Sequence, residues 1–210
     1  MRTDTLKRFR VNRAMQWLGA FMLKITGWKI EHPMPPDLRK TVMIVAHHTS
    51  NWDFPVGLMM SFQMRMHAFW IGKHSLFKKP FGRMFRWLGG VPVNRTAAAS
   101  VVDQMVEAFH RHDSLLLVIT PEGTRKKVDR WKDGFYRIAR AANVPISCAY
   151  IDFKNKVGGV GLVLTPTGDT KADMDKIRAF YSRVRGKYPD KEGRIYLPLE
   201  DHDAAAPQSA

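Results

Sequence analysis

The sequence predicts one α/β domain in which helices surround a mixed, mostly parallel sheet. Short apolar, β-branched runs alternate along the chain with longer stretches of helical periodicity, the pattern expected of layered strands and helices. The 210 residues are 45% hydrophobic and 11% aromatic, enough for a sizeable core and too apolar for a disordered or fibrous chain. No internal repeat or linker interrupts the alternation. Residues 30–200 therefore read as a single domain, preceded by an amphipathic helix within residues 1–29 and followed by a small polar tail, residues 201–210, expected to be disordered.

The first segment is two-sided. Plotted at about 100° per residue, Val11, Ala14, Met15, Trp17, Leu18, Phe21, Met22, Ile25 and Trp28 fall in an arc of roughly 160°. Asn12, Arg13, Gln16, Lys24 and Lys29 lie outside it, Arg10 intrudes on it, and Leu23 falls on the polar side. The apolar run is shorter than the ~20 residues needed to cross a bilayer, and no small-residue cleavage site follows it. Tryptophans beside an apolar stripe with flanking cations describe a helix lying in a membrane interface, although a helix packed on its own domain carries the same pattern. The charge favours the membrane: 34 Lys and Arg against 19 Asp and Glu leave a net +15, which asks for an anionic partner. Peripheral attachment to the cytoplasmic face of a membrane is the expectation.

Beyond Lys29, Val42–Ala46 reads as a buried strand and Phe54–Met64 as a Met-rich helix. Ala68–Ile71 is a second strand, and Phe81–Leu88 a short helix stopped by Gly89-Gly90. Val91–Val93 is a brief third strand. Ala97–His110 is a helix with Val101, Val102, Met105, Val106 and Phe109 on one face, and Leu115–Ile119 is the strongest strand. Gly134–Ala142 reads as a helix, Pro145–Tyr150 as a strand, and Phe153–Leu164, with Gly158-Gly159 inside it, as a hairpin. Asp173–Tyr188 closes the domain as a helix with Met174, Ile177, Phe180, Tyr181 and Val184 inward. The single cysteine, Cys148, excludes a disulfide scaffold and reads as a buried thiol.

The chemistry gathers where strands end. The first strand runs into His47-His48-Thr49-Ser50-Asn51-Trp52-Asp53. A His and an Asp five apart on one helix would point about 140° away from each other, so a meeting requires the chain to turn between them. Asp53 at the start of the next helix then fixes the His48 tautomer and leaves the other ring nitrogen free to take a proton from a hydroxyl. The same letters also fit a helix cap, Ser50-x-x-Asp53, and alone this spacing is a weak signal. A metal site from His47, His48, Asp53, His67 and His74 is a third reading, without usual ligand spacing. Lys73 follows the second strand and Arg95 the third. Thr120-Pro121-Glu122-Gly123-Thr124-Arg125 follows the strongest, with a glycine for close backbone approach and an arginine to grip a phosphate, unless Glu122 and Arg125 form a surface ion pair. Ligands of α/β sheets gather at the carboxyl ends of strands, so four such ends carry more weight than any one motif.

In this order the blocks resemble the glycerophospholipid (lysophospholipid) acyltransferase family, typified by the 1-acyl-sn-glycerol-3-phosphate acyltransferases. His48 to Asp53 matches its H-x4-D signature and Gly72-Lys73-His74-Ser75-Leu76 its lysine segment. Gly89 with Arg95 matches its G-x5-R block, Pro121-Glu122-Gly123-Thr124-Arg125 its P-E-G-T-R block, Lys132 and Gly134 its K-x-G, and Val144-Pro145-Ile146 its V-P-I block. Thr120, Lys126, Pro92-Val93 and Ser147-Cys148 depart from the family's usual residues, around the acceptor and acyl pockets.

The resemblance implies an O-acyltransferase of phospholipid biosynthesis or remodelling. Its acyl donor would be a thioester on coenzyme A or acyl carrier protein, and its acceptor the hydroxyl of a lysophospholipid. His48 would be the general base, oriented by Asp53. Arg95, Glu122, Gly123, Thr124 and Arg125 would hold the acceptor's polar head, and Lys73 an oxyanion or a donor phosphate. No cofactor or metal is implied. Lys78, Lys79, Arg83 and Arg86, among Phe77, Phe81, Phe85 and Trp87, suit an anionic, greasy surface such as lipid head groups, coenzyme A or an acidic carrier protein, or are a solvated face. Met-rich Phe54–Met66 lines an acyl slot or fills the core. Two rival classes are a basic nucleic-acid-binding module, against which the cations are scattered, and a metal-dependent phosphoesterase.

Overall fold

In the computed structural model, residues 11–93 and 98–203 are described. The expected strand–helix alternation builds one seven-stranded sheet in the order β1-β7-β6-β2-β5-β3-β4. The strands are β1 (Lys29–His32), β2 (Lys40–Val45), β3 (Ala68–Lys73), β4 (Gly90–Val93), β5 (Leu115–Ile119), β6 (Ile146–Asp152) and β7 (Val157–Leu164). From β6 to β4 the neighbours are all parallel, whereas β7 runs antiparallel to β6 and β1 lies parallel to β7. The helices are α1 (Arg13–Thr26), α2 (Asp53–Gln63), α3 (Gly82–Trp87), α4 (Ala98–Arg111), α5 (Gly134–Ala142), α6 (Thr170–Tyr181) and α7 (Leu199–Asp203).

Strand alternation sorts the core into two layers. Val42, Ile44 and Ala46 with Leu115 and Leu117 face one way, toward Phe109, Phe135, Ile138, Met174, Ile177 and Tyr181 from α4, α5 and α6. Met43, Leu116 and Val118 face the other way. The α2 methionines are core: Met60 packs with Leu23, Trp28 and Ile151, and Met59 lies against the same group.

The N-terminal helix is present, and it packs on the domain through residues outside the predicted apolar stripe. Its buried residues are Gly19 and Leu23, and Gly19 allows α1 to approach α2, since a Cβ there would meet the Met59 carbonyl at 2.6 Å. Leu23, assigned by periodicity to the polar side, is in the core, while Trp17, Leu18, Phe21 and Ile25 are exposed. Trp28 lies past the helix and is buried edge-on to Phe153. Asn12 caps α1 by accepting from the Met15 N–H, and Gly27 ends it in the left-handed conformation. Lys156 Nζ donates to the Thr26 carbonyl at 3.1 Å and β1 then pairs with β7, which fastens the C-terminal end of α1, while buried Val11, packed with Phe62 and Leu88, holds the other end. Among the described residues no helix is long and apolar enough to cross a membrane.

Two further expectations need correction. The last long helix begins at Thr170 under an Asp169 cap and stops at Tyr181, seven residues short of Tyr188. The chain turns there because Gly186 lies against Thr49 and Arg185 supplies its carbonyl to the Phe153 N–H. The polar tail does not start at Asp201: residues 201–203 complete α7, where Glu200 accepts both from the Leu197 N–H and from Arg178. Residues 204–210 lie outside the described residues. Strand β1, unforeseen, is four mostly exposed residues at the sheet edge and has no apolar alternation to betray it.

Candidate active site

Strands β2, β5, β3 and β4 are consecutive neighbours and parallel, so their carboxyl ends open on one edge. That edge receives His47 and His48 from β2, Glu122 to Arg125 after β5, and Lys73 from β3. The segment after β4, with Arg95, lies outside the described residues.

The chain turns between His48 and Asp53 as a meeting requires. His48 Nδ1 lies 2.8 Å from Asp53 Oδ2. A carboxylate only accepts, so Nδ1 carries a proton, and in the neutral ring Nε2 keeps its lone pair. The same Asp53 oxygen accepts from the Ser50 N–H at 3.1 Å, while the Ser50 hydroxyl accepts from the Trp52 N–H. One carboxylate thus serves both the imidazole and the turn that leads into α2, whose N-cap, Trp52, makes no side-chain cap bond; Asp53 stands in the first turn of the helix, where the dipole favours its negative charge. Asp53 is buried, and the His48 side chain retains 19% exposure, enough for a ligand to reach it.

Glu122 does not pair with Arg125 at the surface. It is 5% exposed, and its Oε1 accepts from the His48 backbone N–H at 3.1 Å and stands 3.9 Å from His47 Nδ1. Burial raises its pKa to about 7, against the lowering effect of the His48 N–H. His47 is itself buried, its ring edge-on to Tyr181, and burial pushes its pKa below the usual imidazole value. Gly123 holds φ +65°, and a Cβ there would press on the Lys132 side chain at 3.1 Å. Thr124 Oγ1 accepts from the Lys126 N–H, leaving Arg125 and Lys73 exposed at the edge.

The segment behind α6 braces the His48 loop, an arrangement that periodicity did not reveal. Thr49 is buried and its Oγ1 accepts from the Tyr188 N–H at 3.2 Å. On that side a cavity of about 750 Å³ is lined by His47, Tyr181, Arg178, Arg185, Glu192 and Arg194, among others. The five residues considered as metal ligands do not all come together: His48 meets Asp53, but His67 Nδ1 accepts instead from the Val11 N–H. Among the described residues no group of three His, Cys, Asp or Glu could hold a metal ion.

A family model described as Acyltransferase matches residues 29–152, more than half of the chain. The chain belongs to the acyltransferase family. The matched span holds every strand of the site edge and ends before α6, so the brace at Thr49 comes from outside it. Among solved structures, that of the 1-acyl-sn-glycerophosphate (LPA) acyltransferase PlsC from Thermotoga maritima is similar at 16% identity and a TM-score of 0.50, over 81% of this chain and 75% of that one. The likeness shows the acyltransferase fold. No curated protein matches.

Proposed function

We propose that this acyltransferase moves a fatty acyl group from a thioester, on coenzyme A or acyl carrier protein, to the hydroxyl of a lysophospholipid-like acceptor. The observation that carries the reading is the 2.8 Å contact of His48 Nδ1 with Asp53 Oδ2, which leaves Nε2 available beside the exposed edge. Nε2 takes the hydroxyl proton as the oxygen attacks the thioester carbonyl, and Asp53 stabilises the imidazolium. The C–S bond then breaks, the thiolate recovers the proton from His48, and an ester and a free thiol leave. No acyl-enzyme forms.

Arg125 and Lys73, both exposed at the mouth, suit the acceptor's phosphate and the developing oxyanion or a donor phosphate, with Gly123 and Thr124 beside Arg125; the resemblance assigns Arg95 to the same head group. Glu122, buried against the His48 N–H, fits a positioning role better than a grip on the head group. The exposed Trp17, Leu18, Phe21 and Ile25 of α1 would seat the enzyme on the cytoplasmic face of an anionic membrane, from which a lipid acceptor comes.

The test is to incubate the purified protein with a panel of lysolipids and both donor types and to identify products by mass. Acylated lysophosphatidic acid, or another lysophospholipid product, supports the reading. A His48→Ala protein that stays folded should lose roughly 10²–10⁴-fold in turnover. Retention of more than about a tenth of the activity would overturn the assignment.

A further inference from the structure

The positive charge is unevenly spread. Residues 1–102 contain 16 Lys and Arg against four Asp and Glu, a net +12 of the total +15, and between Asp53 and Asp103 there is no carboxylate at all. Within that stretch lies the segment from Leu76 through α3. Leu76, Phe81, Met84 and Trp87 are 48%, 61%, 44% and 59% exposed, an unusual run of large apolar side chains in water. Lys78, Lys79 and Arg83 are exposed among them, and no ion pair engages them among the described residues.

The segment is held rigidly from beneath. Phe77 is buried and stacks on Trp70, with Phe85 edge-on to both. Arg86 donates to the Phe77 carbonyl and lies over its ring. With Phe85 inward, Arg83, Met84 and Trp87, one helical turn apart, share the outer face. Leu88, the next residue, joins Val11 and Phe62 in one cluster with Met15, so the end of α3 meets the beginning of α1 over α2. Phe54, adjacent to Asp53, is edge-on to Phe85, which ties the same segment to the mouth of the site.

We propose that the exposed face from Leu76 to Trp87 is a second bilayer-docking surface, separate from α1, whose apolar side chains enter an anionic leaflet while Lys78, Lys79 and Arg83 meet its head groups. Aromatic and aliphatic tips ringed by unpaired cations match a headgroup–acyl boundary in both respects, whereas a solvated face accounts for the cations and leaves the apolar tips unexplained. The proposal rests on the reading of the chain as an enzyme of lipid acceptors. It places the opening beside His48 close to the leaflet that supplies them.

The test is co-sedimentation of the full chain with vesicles of phosphatidylglycerol and phosphatidylcholine in equal parts, and of phosphatidylcholine alone, at low and high salt. Wild-type protein should bind the anionic vesicles, and lose binding as salt rises. Phe81→Ser/Met84→Ser and Lys78→Glu/Arg83→Glu proteins, with α1 untouched, should each bind those vesicles at least roughly tenfold more weakly. Both should keep the wild-type melting temperature and turnover on a detergent-dispersed acceptor. Wild-type-like vesicle binding by both variants would overturn the proposal. So would normal vesicle binding with a selective loss of turnover from a carrier-protein donor, which would make the face a protein-docking site. Failure of acyl transfer by the wild-type protein would instead strike the underlying reading, which the sedimentation result does not depend on.

Discussion

The Tyr188 backbone N–H donates to the buried Thr49 hydroxyl at 3.2 Å, joining the segment behind α6 to the loop that carries His48. Beside this bond Gly186 packs so closely that an added Cβ would meet Thr49 Oγ1 at 2.8 Å and Cγ2 at 3.0 Å. Gly186→Ala should displace the loop and lower kcat by about 10–10²-fold with little change in donor KM, because sub-ångström misplacement of a base is costly. Thr49→Val should behave alike and Thr49→Ser should restore activity. Equal kinetics for the valine and serine proteins would remove the brace from the mechanism.

Asp53 orients the imidazole through the bond to Nδ1. Asp53→Asn presents an amide that can donate to Nδ1, favouring the tautomer with the proton on Nε2 and a base that cannot accept. A fall of roughly 10²–10⁴-fold in kcat is expected in steady-state assays. A small effect would mean that the carboxylate only holds the Ser50 turn.

Glu122 titrates near pH 7 because it is buried. Its folded pKa exceeds the unfolded value of 4.5, so its contribution to stability is full below pH 4.5 and is lost as pH rises through about 7. Glu122→Gln removes that loss while keeping an oxygen for the His48 N–H. Thermal melts should therefore show the variant gaining on wild type above pH 7 by a few degrees, at ~2–4 °C per kcal/mol for a chain of this size, with the gain shrinking toward pH 5. A gain independent of pH would place the titration elsewhere.

Arg125 is exposed at the site edge, where a charge-assisted pair with an acceptor phosphate would form. Arg125→Ala should lower kcat/KM for a phosphate-bearing acceptor by about 10–100-fold. An equal loss with an uncharged acceptor would remove the phosphate from the argument.

Much of the site edge was legible because its signals are local. A β-branched run followed by His48, and Leu115–Ile119 followed by Pro121-Glu122-Gly123, place chemistry at strand ends without tertiary knowledge. Leu115–Ile119 and Gly134–Ala142 keep their expected bounds, since each is delimited by its own periodicity. What escaped depends on contacts between distant residues. Leu23 is core only because Gly19 admits α2, and α6 stops at Tyr181 because Gly186 meets a loop 137 positions earlier. The burial of Glu122, which turns it from a surface partner of Arg125 into a support for His48, follows from the register of β2 beside β5 and leaves no mark in the local sequence.

The fastening of α1 at both ends has a mechanical consequence. With Val11 buried against Phe62 and Leu88 at one end, and Trp28 wedged on Phe153, Lys156 clasping the Thr26 carbonyl and β1 zipped to β7 at the other, the helix cannot swing like a tether. It would act as a keel: were a membrane to grip Trp17 and Phe21 as proposed, it would also set the tilt and stand-off height of the His48 mouth, and an incoming substrate would have to rise a fixed distance rather than wait for the enzyme to stoop.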